Sequence, residues 1–439
     1  MSIKNVKGTH DIIGEEATSF TYIENLLKQI AELFGYQEVR TPVIEYSELF
    51  VRSVGESSDV VRKEMYTFLD KGERSITLRP EFTAGIIRLI VQNKLLATSE
   101  LPLKTHYVGP AFRYERPQLG RYREFNQFGV EAVGINSAEI DAEVIVLSYT
   151  MLQSLNLENV LIKINTLGDE ESRHNYKNAL KQYFSPYLEK MCPDCHSRYE
   201  LNPLRILDCK VPEDQEIVKG APKIKDYLSK NAKEKFDYLL SLLDGLEIPY
   251  EIDDTLVRGL DYYSETVFEF HYTSRSGKDY GALGAGGHYD KLVKELGGPD
   301  VSGIGFSLGI ERLYSVLKDD GLLEGYFDND LDIYVMPIGQ IDKQFVLQVT
   351  TGLRLAGYRT DQCFEDVKLT NMFKRAERKN AKYAIIIGEN EIEKHEVIIK
   401  NLRTTEQETC PIDQLIETIS RKMNEEDLDE EFSQNVKEG

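Results

Sequence analysis

The chain has 439 residues, 41% of them hydrophobic and 29% charged, and a formal net charge of −21. This length predicts two or three globular domains, and no apolar run approaches the ~20 residues that cross a bilayer. The negative charge argues against non-specific nucleic-acid binding, although a local basic site for one RNA remains compatible with it. The N-terminus lacks the hydrophobic stretch of a signal peptide, and five cysteines cannot form a disulfide framework in so long a chain. We therefore expect a cytoplasmic protein without membrane association.

The first region reads as one helix followed by paired strands. Residues 22–34 carry apolar side chains at helical spacing, which predicts an amphipathic helix. Two predicted strand pairs follow, Tyr66–Leu69 with Ser75–Leu78 and His106–Glu115 with Tyr122–Val133. Because short turns rather than helices join these strands, the pattern favours an antiparallel sheet over a βαβ array.

The middle of the chain changes character and then returns to strands. Residues 170–247 are charged and mainly helical in pattern, which indicates an insertion between sheet strands. Strand-like sequence resumes at Leu256–Tyr272 and Tyr280–His288. Gly303–Leu308 is then predicted to be a strand that leads directly into a helix.

The last region, from about Asp328, alternates strands and helices as small α/β domains do. Its predicted strands are Ile333–Pro337, Ala384–Gly388 and Val397–Lys400. Its predicted helices are Phe345–Leu355, Lys368–Lys379 and Asp413–Met423. The acidic residues at 425–431 predict a solvated, disordered tail over residues 424–439.

The common nucleotide-binding motifs are missing. The sequence has no G-x-x-x-x-G-K-[ST] loop, Gly284–Gly287 does not complete a G-x-G-x-x-G fingerprint, and no Ser or Cys nucleophile motif is present. A nucleotide would therefore have to be held by arginines. The predicted hairpin at residues 112–134 supplies them, because alternate residues of a strand share a face. One strand carries Arg113 with Glu115, and the other groups Arg123, Phe125, Gln127 and Glu131.

The loop of this hairpin adds Arg116 and Arg121. Guanidinium groups, an amide, a carboxylate and an aromatic ring can together bind phosphates, stack on a purine and bind a polar ligand. A solvated outer face with alternating charge is the alternative interpretation.

Four further clusters have the same polar character. Glu81 and Thr83 could bind an ammonium group, although charged residues beside a proline also mark strand ends. Residues 285–290 are glycine-rich enough for close approach of a ligand, or for a plain tight turn. The other two are residues 257–263, with an arginine and paired tyrosines, and residues 305–313, with Arg312 near a helix start.

Together these stretches resemble the class II aminoacyl-tRNA synthetases, and among them the histidyl-tRNA synthetase family. Residues 113–115 and 120–123 look like the second class II motif, and Gly305–Leu313 looks like the third. Tyr36–Pro42 looks like the first motif, which implies a homodimer. The sequences at 258–263 and 286–290 are similar to two histidine-specific signatures. The resemblance extends from Gly8 through Met423.

The resemblance implies an α+β fold: an antiparallel sheet with flanking helices, a mainly helical insertion, and a C-terminal α/β anticodon-binding domain. We expect the catalytic domain at residues 1–325, the anticodon-binding domain at 328–423 and the tail at 424–439. The implied activity is ATP-dependent activation of L-histidine and its transfer to the 3′ end of tRNA(His), releasing AMP and pyrophosphate. The predicted helix Lys368–Lys379 and the segment just after it carry a group of basic residues, which would then favour RNA contact rather than a solvated face. These residues are Lys374, Arg375, Arg378, Lys379 and Lys382.

The resemblance also implies roles for single residues. The histidine ammonium group would be bound by Glu81, Thr83 and Gln127, and the imidazole by Glu131, Tyr262 and Tyr263. Arg113 would bridge the histidine carboxylate and the ATP α-phosphate, and Arg258 would reach the same phosphate, which makes these two arginines the catalytic pair. Phe125 would stack on adenine, and Glu115 would belong to the ATP site. The outer phosphates, with Mg²⁺ between them, would be bound by Arg121, Arg123 and Arg312.

Two positions depart from the family pattern. Phe82 stands where glycine is usual, and period-2 alternation turns it away from Glu81 and Thr83, so we expect altered packing rather than a lost pocket. His288 stands where arginine is usual, and we assign it no role.

The cysteines permit two interpretations. Cys192 and Cys195, with His196 and Cys209, could be zinc ligands, but a second C-x-x-C pair is absent and thirteen residues separate Cys195 from Cys209. We favour buried thiols and assign no metal ligand.

Two non-ligase relatives are the alternatives to this function. The regulatory subunit of ATP phosphoribosyltransferase resembles these synthetases but usually lacks the anticodon domain, and a histidine-sensing module of a stress kinase would accompany a kinase domain. Arg113, Arg258 and Arg312, together with the C-terminal region, favour the ligase.

Overall fold

The computed structural model describes residues 3–55, 58–116, 121–323 and 331–425. The chain divides into two compact units, Met1–Glu324 and Gly325–Gly439. No helix in the described ranges combines the length and the apolar composition of a membrane span.

The first unit is built on strands that form two sheets. In chain order they are β1 (Gln37–Glu38), β2 (Ile44–Tyr46), β3 (Tyr66–Leu69), β4 (Ser75–Leu78), β5 (Leu103–Phe112), β6 (Glu124–Val133), β7 (Val160–Thr166), β8 (Tyr250–Ile252), β9 (Ser264–Thr273), β10 (Asp279–Tyr289) and β11 (Gly303–Gly309). The large sheet has the order β1-β5-β6-β11-β10-β9-β7-β8, and β2-β4-β3 form a small separate sheet. All neighbours from β5 to β7 in the large sheet are antiparallel, and only the two edge strands pair parallel. The predicted antiparallel sheet is confirmed.

Helices cover and flank this sheet. They are α1 (Glu15–Leu33), α2 (Ser47–Val54), α3 (Thr83–Gln92), α4 (Leu95–Thr98), α5 (Ala138–Ser154), α6 (Glu170–Phe184), α7 (Pro193–Leu201), α8 (Pro212–Val218), α9 (Lys230–Gly245), α10 (Leu292–Glu295) and α11 (Ile310–Asp319). The helix α1 forms because Phe20, Ile23, Leu27 and Ile30 recur on one face, and all four are buried. It packs against α5 and α11.

The insertion predicted at residues 170–247 is mainly helical. It lies between β7 and β8, which pair in parallel, and parallel neighbours require a long crossover connection. The insertion contains α6 to α9 and short 3₁₀ turns at Ser185–Lys190, Pro203–Asp208 and Ile224–Asp226. Its apolar core includes Tyr176, Leu180, Phe184 and Ile206 and continues to Val267 on β9.

The second unit is an α/β domain with one five-stranded sheet. Its strands are β12 (Ile333–Pro337), β13 (Thr360–Gln362), β14 (Tyr383–Ile387), β15 (Glu396–Asn401) and β16 (Gln407–Pro411), in the order β13-β12-β14-β15-β16. Its helices are α12 (Lys343–Leu355), α13 (Leu369–Arg378), α14 (Glu389–Lys394) and α15 (residues 415–425). The predicted strands and helices are all present. The acidic tail falls on residues 426–439, outside the described residues, while residues 424 and 425 continue α15.

Near the site, the predicted ends of β5 and β9 are wrong, and the strand alternation assumed for residues 81–83 does not hold. The strand expected at Leu256–Tyr272 begins only at Ser264, so Arg258 lies in the preceding loop. Thr83 starts α3 rather than continuing β4, because Pro80 interrupts the strand. The strand β5 ends at Phe112, which leaves Arg113 beyond it. Alternating polarity continues past the point where backbone pairing stops, so the pattern alone overextends these strands.

Candidate active site

A cavity of about 550 Å³ opens over the large sheet of the first unit. The turn before α3, the loop before β9, the strands β6, β10 and β11 and the start of α11 contribute its walls. Of the predicted site residues, twelve line this one cavity: Glu81, Thr83, Arg113, Glu115, Arg121, Phe125, Gln127, Glu131, Arg258, Tyr262, Tyr263 and Arg312. Its volume suits a ligand of nucleotide size.

One end of the cavity is organised around Glu131. Its Oε1 accepts a hydrogen bond from the Thr83 hydroxyl at 2.7 Å, and its Oε2 accepts one from the Tyr289 hydroxyl at 2.8 Å. The Tyr107 hydroxyl lies 3.4 Å from Oε1. Burial raises the pKa of Glu131 to about 8, against the lowering effect of these hydroxyl donors. This end of the cavity therefore presents a desolvated carboxyl group, and a cationic or hydrogen-bond-donating group of a ligand would favour its ionised form.

Glycine makes room for this carboxyl. Gly305 on β11 lies directly opposite Glu131 on β6. A Cβ at Gly305 would overlap Glu131 Oε2. The absence of a side chain at 305 thus lets the carboxyl lie flat against the sheet.

Glu81 adds a second buried carboxyl to the same end. Its Oε1 accepts a hydrogen bond from the backbone N–H of Ala84 at 3.0 Å, in the first turn of α3. Burial raises its pKa as well. Two carboxyl groups with raised pKa values, close to a set of hydroxyls, can receive an ammonium group and a polar ring.

The paired tyrosines form one wall. The rings of Tyr262 and Tyr263 have centroids 4.5 Å apart, and the guanidinium carbon of Arg258 lies 5.4 Å from the Tyr263 ring centroid. Gln127 lies opposite Gly309 in the β6–β11 register, and its amide nitrogen is 3.5 Å from the Ser307 hydroxyl.

The other end of the cavity is basic. Arg113 is held by its Nε, which donates to the Pro80 carbonyl at 2.8 Å, and its guanidinium carbon lies 5.4 Å from the centroid of the Phe125 ring. Arg312 Nη1 donates to the carbonyl groups of Tyr280, at 3.3 Å, and Ala282. Glu115 is placed between two guanidinium groups, 4.0 Å from Arg113 and 3.7 Å from Arg121. Fixed guanidinium groups beside an aromatic ring suit a polyphosphate attached to a purine.

Arg123 does not line this cavity. Its guanidinium carbon lies 3.8 Å from the centroid of the Tyr114 ring, and its Nε is 3.3 Å from the Glu115 carbonyl oxygen. Arg123 immediately precedes β6, which begins at Glu124, so the strand alternation that grouped it with Phe125 does not extend to it. Residues 117–120 of the predicted loop lie outside the described residues.

The two positions that depart from the family pattern, Phe82 and His288, differ in whether they line the cavity. Phe82 lines the cavity, contrary to the prediction that it turns away, and its ring stacks on Tyr107 with centroids 4.5 Å apart. The reason is that residues 81–83 form a turn into α3 rather than a strand, so consecutive side chains can reach the same cavity.

His288 is fully buried away from the cavity lining. Its Nδ1 lies 2.9 Å from Asp141 Oδ1, and its Nε2 lies 3.2 Å from Asp290 Oδ1 and 3.6 Å from Glu265 Oε2. Burial alone would lower the pKa of His288, but the carboxylates of Asp141 and Asp290 outweigh it and raise the pKa to about 9. The position therefore carries a buried positive charge.

Several cavity residues were not predicted. Tyr107, Tyr289, Glu269 and Glu311 all line the cavity. Glu311 accepts hydrogen bonds from the backbone and side-chain amides of Asn126, at 2.8 to 3.1 Å, and burial raises its pKa to about 7. Tyr289 belongs to the histidine-specific signature at residues 286–290. The single sequence signal that could have identified it as a site residue, a hydroxyl in an apolar strand, has many structural causes.

Known proteins are similar to this chain over almost its full length. A Histidyl-tRNA synthetase family model matches residues 8–313, and an Anticodon binding domain model matches residues 332–422. The chain is 47% identical over 409 residues to a histidine–tRNA ligase of Lactiplantibacillus plantarum, covering 93% of this chain and 96% of that protein. It is 46% identical over 423 residues to a histidine–tRNA ligase of Thermosipho melanesiensis, covering 96% and 100%.

A solved structure gives the same result. The apo histidyl-tRNA synthetase of S. aureus superimposes with a TM-score of 0.80 at 37% identity, over 95% of this chain and 100% of that one. The chain belongs to the histidyl-tRNA synthetase family.

Proposed function

We propose that this chain activates L-histidine with ATP and transfers the histidyl group to the 3′ end of tRNA(His), releasing AMP and pyrophosphate. The single observation that carries the proposal is the polarity of one continuous cavity, with buried carboxyls and hydroxyls at one end and fixed guanidinium groups at the other. An amino acid and a nucleoside triphosphate present the complementary charges in the same order.

Histidine binds at the carboxyl end. Glu81, Thr83 and Gln127 receive the ammonium group, because each lines the cavity and carries an oxygen acceptor. Glu131, Tyr262 and Tyr263 receive the imidazole, whose two nitrogens need one partner each. A site built to pair with polar groups rejects amino acids that lack them.

ATP binds at the basic end. Arg113 and Arg258 act on the α-phosphate, with Arg113 also reaching the histidine carboxylate. Phe125 stacks on adenine and Glu115 belongs to the same subsite, while Arg121 and Arg312 hold the outer phosphates. Arg123, which packs on Tyr114 instead, supports the loop rather than the ligand.

Mg²⁺ accompanies the triphosphate. Glu115 and Glu311 both line the cavity and carry carboxyl groups, the ligand type that Mg²⁺ prefers, and they would hold the ion with the phosphates. When bound, the ion neutralises charge on the outer phosphates.

Catalysis follows from positioning and charge. The histidine carboxylate attacks the α-phosphorus in line, pyrophosphate leaves, and the terminal hydroxyl of the tRNA then takes the histidyl group. No protein nucleophile is needed, so the residues hold the reactants in line and stabilise charge on the α-phosphoryl oxygens. Arg113 and Arg258 are half-buried, so they act on the α-phosphate in surroundings less screened than open water.

The second unit supplies RNA contacts. We assign residues 1–325 to catalysis and 328–423 to anticodon binding. In the predicted basic cluster, Arg375 pairs with Glu365 at 2.7 Å and Lys379 with Asp361 at 2.8 Å. Lys374 and Arg378 are exposed on the same helix, α13, and are the better candidates for phosphate contact. This unit separates the proposal from a regulatory subunit of ATP phosphoribosyltransferase.

The working form is a homodimer in the cytoplasm. One face of the small sheet is apolar, because the β2-β4-β3 register places on it Ile44, Tyr46, Tyr66, Phe68, Ile76 and Leu78. Tyr46 is 55% exposed and Phe68 is 46% exposed, and contiguous exposed apolar side chains mark interaction surfaces. None of the five cysteines forms a disulfide, which is consistent with a reducing compartment.

The dimer is tested by the mass of the protein in solution. Phe68→Asp should shift the mass measured by light scattering from two chains to one. Leu355→Asp is the matched control, since Leu355 is 85% exposed on the second unit. A monomeric wild-type protein would contradict the dimer.

The activity is tested by exchange of labelled pyrophosphate into ATP. We expect exchange with L-histidine and with no other standard amino acid, because other side chains leave Glu131 and its hydroxyl partners unmatched. Discrimination of as much as ~10⁴-fold is typical of such sites. Equal exchange with glutamine or phenylalanine would refute the specificity, and no exchange at all would refute the activity.

A further inference from the structure

Four potential metal ligands meet inside the helical insertion. Cys192, Cys195, Cys209 and Asp214 each offer one ligand atom, and these atoms all lie within 4.8 Å of one another. We call this set the Cys₃Asp cluster. Among the described residues His196, the ligand considered from sequence, does not join it, and Asp214 takes its place.

The distances suit a tetrahedral ion. Cys192 Sγ and Cys209 Sγ are 3.8 Å apart, and Cys209 Sγ is 3.2 Å from Asp214 Oδ2. Zinc–sulfur bonds of about 2.3 Å at tetrahedral angles place two sulfurs about 3.8 Å apart. A disulfide needs about 2.05 Å between its sulfurs, so the thiols are placed for shared coordination rather than for a bond to each other.

The cluster is shielded from solvent. Cys195 is fully buried, and Asp214 is 1% exposed. Asp214 receives hydrogen bonds from the backbone N–H of Cys192 at 3.1 to 3.2 Å and from the Cys209 thiol, a weak donor. The thiols of Cys192, Cys195 and Cys209 all lie within hydrogen-bonding reach of this carboxylate, so the four ligand atoms surround one point that a cation can occupy.

The surroundings provide an outer shell for a charged centre. Arg198 on α7 is close enough for its charge to interact with Cys195 and Cys209. Its Nη2 is 3.1 Å from Asp59 Oδ2, which also pairs with Arg205 at 3.2 Å. Three thiolates and one carboxylate around Zn²⁺ carry a net charge of −2, and a neighbouring guanidinium offsets part of it.

We propose that the Cys₃Asp cluster binds one structural Zn²⁺ ion. Thiolate-rich four-ligand sets select zinc among the divalent ions, and a set with no open position is structural rather than catalytic. The ligands come from α7, α8 and the segments before and between them. The two helices are nine and seven residues long, which is too short for either to be stable alone. The ion fixes these segments to one another.

The ion also fixes one edge of the active-site cavity. Asp208 and Lys210, the two neighbours of Cys209, both line that cavity. Holding Cys209 therefore restrains the backbone that presents Lys210 to the ligand. This consequence rests on the proposed function, whereas zinc binding itself does not.

Zinc content of the full-length protein tests the site directly. Protein purified under reducing conditions should retain one zinc per chain through gel filtration, measured by inductively coupled plasma mass spectrometry. Cys195→Ser and Asp214→Asn should each weaken zinc binding by more than the ~10-fold that loss of an outer-shell partner costs. Asp214→Asn keeps an acceptor for the Cys192 amide. Cys363→Ser and Cys410→Ser, buried thiols of the second unit, are the matched controls and should retain full zinc.

Cobalt substitution avoids dependence on variants that fail to fold. Wild-type protein reconstituted with Co²⁺ should show thiolate charge-transfer bands and the ligand-field bands of a tetrahedral ion. Substoichiometric zinc, iron in place of zinc, or octahedral cobalt bands would overturn the proposal. Protein that holds zinc but lacks histidine-dependent exchange would refute the proposed function alone, and active protein without zinc would refute the site alone.

Discussion

Arg258 and Glu269 form an ion pair inside the cavity, with Nη1 of the arginine 2.6 Å from Oε1 of the glutamate. The other oxygen of Glu269 lies 2.9 Å from His271 Nε2, so the carboxylate is held from both sides. Among the described residues the buried Nε of Arg258 has no hydrogen-bond partner. The ion pair thus fixes the guanidinium in place beside the cavity.

The first prediction concerns Arg258. Arg258→Ala should slow adenylate formation by on the order of 10²–10³-fold, the usual loss when one preorganised donor is removed. Transfer of histidine from preformed adenylate to tRNA should suffer much less, because the phosphoryl step is complete. Arg258→Lys should recover only part of the rate, since it keeps the charge but loses the two-pronged geometry. Single-turnover rates of the two steps provide the measurement.

Glu269→Gln is the control for a purely structural role of this ion pair. It removes the pair but keeps the guanidinium, so a structural role predicts the same loss of melting temperature in both variants. Near-wild-type adenylation in Arg258→Ala, or an equal loss in both chemical steps together with stability, would end the catalytic assignment.

The second prediction concerns Glu131, whose pKa rises from 4.5 in the unfolded chain to about 8 in the folded one. A raised carboxyl pKa favours folding below pH 4.5, and this contribution is lost as pH rises to about 8. Glutamine does not titrate, so Glu131→Gln does not lose this stability. Its melting temperature should therefore rise relative to that of the wild type as pH increases from 4.5 to about 8. Its affinity for histidine should nevertheless fall. Calorimetric melting and histidine titration measure the two effects, and a variant that is less stable than wild type above pH 8 would contradict the argument.

The third prediction concerns His288, whose pKa rises from 6.5 to about 9 in the folded protein. The charged imidazole faces Asp141, Glu265 and Asp290, with Lys235 as the opposing cation. Its stabilising contribution is fully present below pH 6.5 and is lost as pH rises through about 9. His288→Gln should therefore lower the melting temperature most at pH 6.5 and least above pH 9. A difference that does not change with pH would show that the imidazole is neutral.

The fourth prediction separates the two units. Residues 1–325 alone should form histidyl-adenylate at a rate near that of the full chain but should charge tRNA poorly, because the second unit supplies RNA contacts. Pyrophosphate exchange and tRNA charging measure the two activities. Removal of residues 426–439 is the control and should change neither. Charging by the truncated protein at the full rate would contradict the anticodon-binding assignment.

Sequence predicted those parts of the molecule where one local pattern determines one structure. The predicted strands Tyr66–Leu69 and Ser75–Leu78 are observed as β3 and β4, and Ile333–Pro337 is observed as β12, all without change. Arg123 was misplaced because the regular strand begins only at Glu124, although the Arg123 carbonyl still accepts a hydrogen bond from the Arg113 N–H at 2.9 Å. Asp214 was missed for a related reason: a single aspartate five residues after Cys209 has no distinctive spacing, and only packing of α8 against the 3₁₀ turn at Pro203–Asp208 brings it to the thiols.

The strand order of the large sheet has a consequence for folding. The centre of the site joins β6 to β11, and the backbone N–H of Asn126 is bonded to Glu311, 185 residues later in the chain. Contacts of such long range close late, because the loop entropy is lost before the contacts compensate it. During synthesis, one edge of β6 therefore stays unpaired until the whole insertion and then β11 have been made. Exposed strand edges favour pairing with other chains, so we expect nascent forms ending before residue 303 to depend on chaperones, and productive folding to begin only when β11 emerges.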